Sequence, residues 1–205
     1  GNDVHLIFQQ LSGLAAPLTL KHLLQSPFTL HKGVLDRIAR ETAHARDGRP
    51  GRIVAKMNAL NEPQVMLALY EASQAGVKVD LVVRGACTLR VGIEGISENI
   101  RVRSVVGRFL EHHRIWWFGN DGQPELYCSS ADWLERNLLR RVETAFPILD
   151  RECAQRVHQE GLLNYLLDNQ NAWEVQPDGT YAKCSPAEGE APFSAQLSLL
   201  EDLYA

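Results

Sequence analysis

The sequence predicts an α/β protein: a sheet flanked by helices, with helices leading into it and a helical and hairpin extension after it. Three observations carry that expectation. Between Arg52 and Asp168, short apolar runs alternate with helix-period patterns, the pattern of a sheet with crossover helices. Turn-forming residues separate those runs, as in Arg46-Asp47-Gly48-Arg49-Pro50-Gly51 and Gly119-Asn120-Asp121-Gly122. The length, 205 residues, suffices for one substantial core.

The elements follow in order. Val4, Leu6, Ile7, Phe8 and Leu11 recur at helical spacing, so Asp3 to Leu14 is expected to be a helix, interrupted at Pro17. After Pro27, the run Leu30, Val34, Leu35, Ile38 and Ala39 predicts a second helix to about Ala45, with Thr29 as its N-cap. Arg52 to Met57 reads as a strand. Glu62 to Ala75 reads as a helix capped by Asn61, with Pro63 in its first turn and Gly76 closing it. Val77 to Val83, Ile100 to Val106, Arg114 to Phe118 and Leu126 to Cys128 read as strands, the last two joined by the Gly119–Gly122 turn. Trp133 to Leu139 predicts a short helix, Val142 to Phe146 a strand, and Arg151 to Asp168 an amphipathic helix. Trp173 to Tyr181 forms a hairpin around Asp178-Gly179, and Phe193 to Tyr204 a closing helix.

Composition narrows the function. No apolar run approaches the roughly 20 residues of a membrane helix, and the N-terminus lacks the features of a signal peptide. The start Gly1-Asn2-Asp3-Val4-His5 reads as a cut inside a longer chain. Cys87, Cys128, Cys153 and Cys184 stand singly, as expected of reduced thiols in a cytoplasmic protein without a zinc site. Net charge is −4, yet from Arg84 to Arg114 six arginines face three glutamates, and from Glu152 onward two bases face nine acids. A mid-chain arginine excess points to an anionic ligand held there.

The chemistry concentrates in Glu111-His112-His113-Arg114-Ile115-Trp116-Trp117-Phe118 and, after a turn, Tyr127-Cys128-Ser129-Ser130-Ala131-Asp132-Trp133. A histidine, a basic residue two places on and a Ser-rich loop after the next strand form the layout of one phospholipase D half-site. If His112 and Arg114 lie on a strand they share a face and can address one phosphate, with Ser129 and Ser130 adding donors. A histidine titrates near neutrality and can serve as nucleophile, acid or base. His113 falls on the opposite face, and the Trp-Trp-Phe run is assigned to sheet packing. Arg84 sits at a strand end, where α/β sheets place ligands. Arg136-Asn137 and Arg140-Arg141 follow the serine loop.

The chain also resembles a family. Ile53-Val54-Ala55-Lys56-Met57-Asn58-Ala59-Leu60, Leu69-Tyr70-Glu71-Ala72-Ser73, Val83-Arg84-Gly85, Gly95-Ile96-Ser97-Glu98-Asn99-Ile100-Arg101, Arg108-Phe109-Leu110-Glu111-His112, Ser129-Ser130-Ala131-Asp132-Trp133 and Arg136-Asn137 are similar to the last catalytic domain of bacterial polyphosphate kinases. Arg90-Val91 departs from the pattern locally. The resemblance implies a phospholipase D-like domain at residues 51–205, with residues 1–50 a helical segment leading from the preceding domain. It implies reversible transfer of the terminal phosphate of ATP to polyphosphate through a phosphohistidine in that preceding domain.

Arg84 and His112 then match positions that contact nucleotide phosphates, and Arg141 matches a further tunnel arginine. His112 is the catalytic candidate. Arg84, His112, Arg141, Arg114, Ser129 and Ser130 are the candidates for binding ATP and phosphate. Mg²⁺ is expected with the phosphates, its ligands mostly outside this chain. The expected partners are ATP or ADP, polyphosphate, the preceding domain and further copies of the full-length protein, with no nucleic acid. Two alternatives stand beside this: a phosphodiesterase assembled by dimerisation, for which Arg114 in place of lysine is the discriminating departure, and a non-catalytic phosphate-binding or assembly module.

Overall fold

In the computed structural model, which describes residues 1–13 and 19–204, nine strands form one mixed sheet flanked by helices. In chain order these are α1 (Asn2–Leu11), β1 (Leu24–Ser26), α2 (Leu30–Arg46), β2 (Arg52–Met57), α3 (Pro63–Gln74), β3 (Lys78–Val83), β4 (Ile100–Val105), β5 (Arg114–Phe118), β6 (Glu125–Ser129), α4 (Glu135–Leu139) and β7 (Glu143–Pro147). Then come α5 (Arg151–His158), a π-helical turn (Gln159–Leu163), α6 (Asn164–Leu167), β8 (Ala172–Val175), β9 (Tyr181–Lys183) and α7 (Ala195–Tyr204). The sheet order is β1-β7-β6-β5-β2-β3-β4-β8-β9. Only β2, β3 and β4 pair parallel; every other neighbouring pair is antiparallel.

Strand alternation divides the core. Ile53, Ala55 and Met57 of β2 join Leu81, Val83, Trp116 and Phe118 beneath α2 and α3. Val54 faces the other way, with Ile115, Leu126 and Leu162 beneath the α5–α6 helix. Lys56, two places from Val54, is therefore directed into that second layer. A third cluster, Val82, Val105, Tyr165, Ala172 and Ala195, ties α6 and α7 to the sheet. Trp116 packs on Trp133 with ring centroids 5.7 Å apart, and Trp117 stacks on His158 at 4.9 Å, so the aromatic run does pack the sheet.

Several local expectations change. β5 begins at Arg114, so His112 and His113 lie in the irregular segment before it and strand alternation does not orient them. Thr29 occupies the N-cap of α2, but its hydroxyl accepts from Gln25 N–H (2.9 Å) outside the helix. The N-cap of α3 is Glu62, whose carboxylate accepts from Val65 N–H at 2.6 Å; Asn61 lies outside it. Gly76 closes that helix at φ +95°, a conformation that favours glycine. β1 was not expected: its three residues carry no alternation, and pairing with β7 alone makes them a strand. The 151–168 helix widens to a π-turn where Gly161 meets Ile115; a Cβ on Gly161 would lie 2.2 Å from Ile115 Cδ1. The expected end of the first helix at Leu14 and the interruption at Pro17 lie outside the described residues.

Candidate phosphate-binding site

The strand directions gather the candidates at one edge. The C-terminal ends of β2, β3 and β6 and the N-terminal ends of β5 and β7 point the same way, as the registers Met57 with Val83, Lys56 with Ile115 and Arg114 with Ser129 require. Arg84 follows β3 directly. Its backbone N–H donates to Met57 O at 3.2 Å, its carbonyl accepts from Ser104 Oγ at 3.0 Å, and its Nη1 donates to the Glu111 carbonyl. Among the described residues, the other guanidinium nitrogens of Arg84 meet no acceptor.

The peptide between Glu111 and His112 is fixed from several sides. With its amide oriented to satisfy its neighbours, Asn58 donates to Glu111 O at 2.8 Å and accepts from Arg114 Nε and Nη2 at 3.0 and 2.8 Å. Arg114 Nη1 donates to the His112 carbonyl at 2.9 Å. The same guanidinium grips Asp132 in a fork, Nε to Oδ1 at 3.2 Å and Nη2 to Oδ2 at 2.9 Å. Asp132 Oδ1 also accepts from Asn58 N–H at 2.6 Å. The charge of Arg114 is thus met by Asp132, and what Arg114 does at this edge is hold the backbone. The imidazole of His112 is exposed. His113 turns inward, Nε2 lying 3.4 Å from Gly161 O and its ring edge-on to Tyr165.

The serines and Arg141 lie to one side. Ser129 Oγ donates to Thr144 O at 3.0 Å and accepts from Ala131 N–H, while Ser130 Oγ donates to Glu143 and accepts from Thr144 N–H. Phosphate contact by either hydroxyl requires those bonds to open. Arg141 precedes β7, its side chain 59% exposed and 3.8 Å from Glu143. Three strands separate β7 from β3, so these strand ends are roughly 19 Å apart at the usual strand spacing. Arg84, His112 and Arg114 are brought together; Arg141 is not in contact with them.

Behind His112 lies a buried polar cluster that the sequence reading missed. Lys56 Nζ donates to Glu111 Oε2 at 2.8 Å, both side chains almost fully buried, and lies 4.3 Å from the Tyr165 ring centroid. Tyr165 OH meets both Glu111 oxygens, at 2.9 and 3.0 Å, and Gln196 Nε2 donates to Oε1 at 2.6 Å. Burial lowers the Lys56 pKa against the pull of Glu111, with Arg84 and Arg114 adding to the lowering. Burial alone would raise Glu111, but the charge and hydrogen bond of Lys56, with bonds from Gln196 and Tyr165, bring it below the usual carboxylate value. Burial, helped by Lys56, lowers His113 to about 4, so its imidazole is neutral at pH 7. The available signal was a lysine inside the apolar run Ile53-Val54-Ala55-Lys56-Met57; the distant Tyr165 and Gln196 left none.

Two grooves adjoin the cluster. One of about 630 Å³ is lined by His113, Ile115, Gly161, Tyr165 and Leu203, and another of about 450 Å³ by Phe109, Leu110, His112 and Leu200. Among the described residues, no three His, Cys, Asp or Glu side chains are grouped to hold a metal. The carboxylates at this edge face Lys56, Arg114 or Asn137. This donor set does not fit a cation of its own.

The arrangement is a rigid strand-end edge presenting arginine and histidine to solvent, suited to gripping phosphate. Comparison with known proteins places the chain in a family. The family described as "Polyphosphate kinase C-terminal domain 2" matches residues 23–196. The polyphosphate kinase of Xylella fastidiosa (strain 9a5c) is 67% identical over 203 residues, covering 99% of this chain and 29% of that protein. That of Neisseria meningitidis serogroup B is 57% identical over 197 residues, 96% of this chain and 29% of the relative. The crystal structure of polyphosphate kinase from Porphyromonas gingivalis superposes with a TM-score of 0.94 at 36% identity, over 98% of this chain and 31% of that one. This chain therefore spans less than a third of the relatives it matches, and it belongs to the polyphosphate kinase C-terminal domain 2 family.

Proposed function

We propose that the protein to which this domain belongs reversibly transfers the terminal phosphate of ATP to polyphosphate through a phosphohistidine in the preceding domain, and that this chain supplies the surface holding the phosphates. One observation carries the reading: exposed His112 follows a braced peptide whose Glu111 carbonyl receives Arg84 Nη1, so the free side of Arg84 and His112 meet at the strand-end edge. Arg84 grips phosphate oxygens by charged hydrogen bonds. Arg141, further along the edge, suits an extended polyanion better than one orthophosphate.

His112 serves the transferring group as acid, base or hydrogen-bond donor to developing charge. In the forward direction the histidine of the preceding domain takes the terminal phosphoryl group as ADP leaves. A terminal oxygen of the polyphosphate chain then takes the group from that histidine. Mg²⁺ belongs in this reading with the nucleotide and chain phosphates and with residues outside this chain. Residues 1–50 lead in from the preceding domain, with β1 paired to β7 in the sheet and α2 packed on the sheet face. We place the full-length protein in the cytoplasm as a homo-oligomer; no helix among the described residues is long and apolar enough to cross a membrane.

The isolated chain should then neither make polyphosphate from ATP nor form an acid-labile phosphohistidine. Incubation with γ-labelled ATP tests this. Stoichiometric label on His112 would overturn the division of roles.

A further inference from the structure

The segment from Val106 to His113 has no regular secondary structure, yet it carries His112 and the carbonyl that receives Arg84. Gln196, in the first turn of α7 and 5% exposed, pairs with it as a neighbouring strand would. Its Nε2 donates to Phe109 O at 2.8 Å and its Oε1 accepts from Phe109 N–H at 2.9 Å. The same Nε2 donates to the Glu111 carboxylate at 2.6 Å. The side chain fills the space a Cβ on Gly107 would need: that atom would lie 2.3 Å from Gln196 Oε1. The Glu111 carboxylate is held at the same time by Lys56 and Tyr165, and its carbonyl by Arg84 and Asn58.

A residue fixed at both its side chain and its carbonyl has its peptide plane fixed, and with it the position of the next Cα. We infer that Gln196 is a positioning residue for phosphoryl transfer, setting Arg84 and His112 through Phe109 and Glu111 without touching substrate. This rests on the phosphoryl-transfer reading above. The C-terminal helix thereby becomes part of the catalytic geometry instead of an appendage.

The test uses the full-length enzyme. Gln196→Met keeps the side chain's length and bulk but cannot make the amide bonds. Gln196→Asn keeps the amide, drawn back by one methylene. Each is compared with wild type in initial rate of polyphosphate synthesis over a range of ATP, in thermal melt, and in hydrogen exchange of the segment 107–113. A displacement of order 1 Å at reacting groups costs on the order of 10²-fold in rate. Gln196→Met should therefore lose about that much in kcat, with faster exchange in the segment and a cooperative melt, and Gln196→Asn should lie between it and wild type. Wild-type kcat and KM in Gln196→Met would overturn the inference, whether or not exchange rises. Loss of a cooperative melt in both variants would make Gln196 a core residue and overturn it equally. His112→Ala is measured alongside: if it retains the wild-type rate, the transfer reading itself fails. An inactive His112→Ala beside a fully active Gln196→Met defeats only the positioning role.

Discussion

Lys56→Met isolates the buried ion pair. Lys56 is 2% exposed and Glu111 7%, and their 2.8 Å bond lies between the sheet and α6. Removing one partner of a buried pair costs about 3–5 kcal/mol, because the other charge stays buried without compensation. Here Glu111 keeps its bonds from Tyr165 and Gln196, and His113 Nδ1 lies 3.4 Å away to take up a proton, which places the cost near the lower end, about 3 kcal/mol. At roughly 2–4 °C per kcal/mol for a domain of this size, the melt should fall by roughly 6–12 °C.

The pH dependence has a definite sign. Without Lys56, burial raises the Glu111 pKa above its unfolded value, so the folded state binds the extra proton and the deficit shrinks as pH falls from that raised value toward the ordinary carboxylate value. The double variant Lys56→Met/Glu111→Gln removes both charges and keeps an acceptor for Tyr165, so it should recover most of the loss. Thermal melts of the three proteins at pH 5 and pH 7 are the assay. A single variant within ~1 kcal/mol of wild type, or a double variant no better than the single, would refute the reasoning.

Arg84→Ala should weaken polyphosphate binding by about 1.5–3 kcal/mol and flatten its salt dependence, measured by calorimetry at two salt concentrations. Unchanged affinity and slope would put Arg84 outside the site. Because His113 titrates near 4 when folded and near 6.5 when unfolded, its neutral burial costs stability progressively as pH falls through that window. Urea unfolding across the window should show a gentler decline in His113→Asn than in wild type; parallel curves would deny the effect. Gly161→Ala forces a Cβ against Ile115 and should cost about 1–3 kcal/mol by overpacking, read from its thermal melt.

What was legible in the sequence follows physical range. β2, β3 and β5 were readable to within a residue because buried strands must be largely apolar, β4 because its apolar residues alternate with arginines, and α2 and α3 because one face must be apolar. Arg84 could be placed because a strand end is visible in sequence. The Glu62 cap was missed because Asn61 is the commoner capping type, and β1 because pairing with β7 alone defines it. At the site, His112 and Arg114 were singled out by a spacing that presumed a strand, yet the strand starts at Arg114 and backbone hydrogen bonds do the joining. Gln196 and Tyr165 reach Glu111 from the far end of the chain, a tertiary fact with no local period to betray it.

The most direct test of the proposed role is the initial rate of ATP-dependent polyphosphate synthesis by full-length His112→Ala beside wild type, each with its thermal melt. His112 is exposed, so the melt should stay put while the rate falls by ~10² to 10⁴. A variant that melts like wild type and makes polyphosphate at the wild-type rate would contradict the assignment of this edge to phosphoryl transfer.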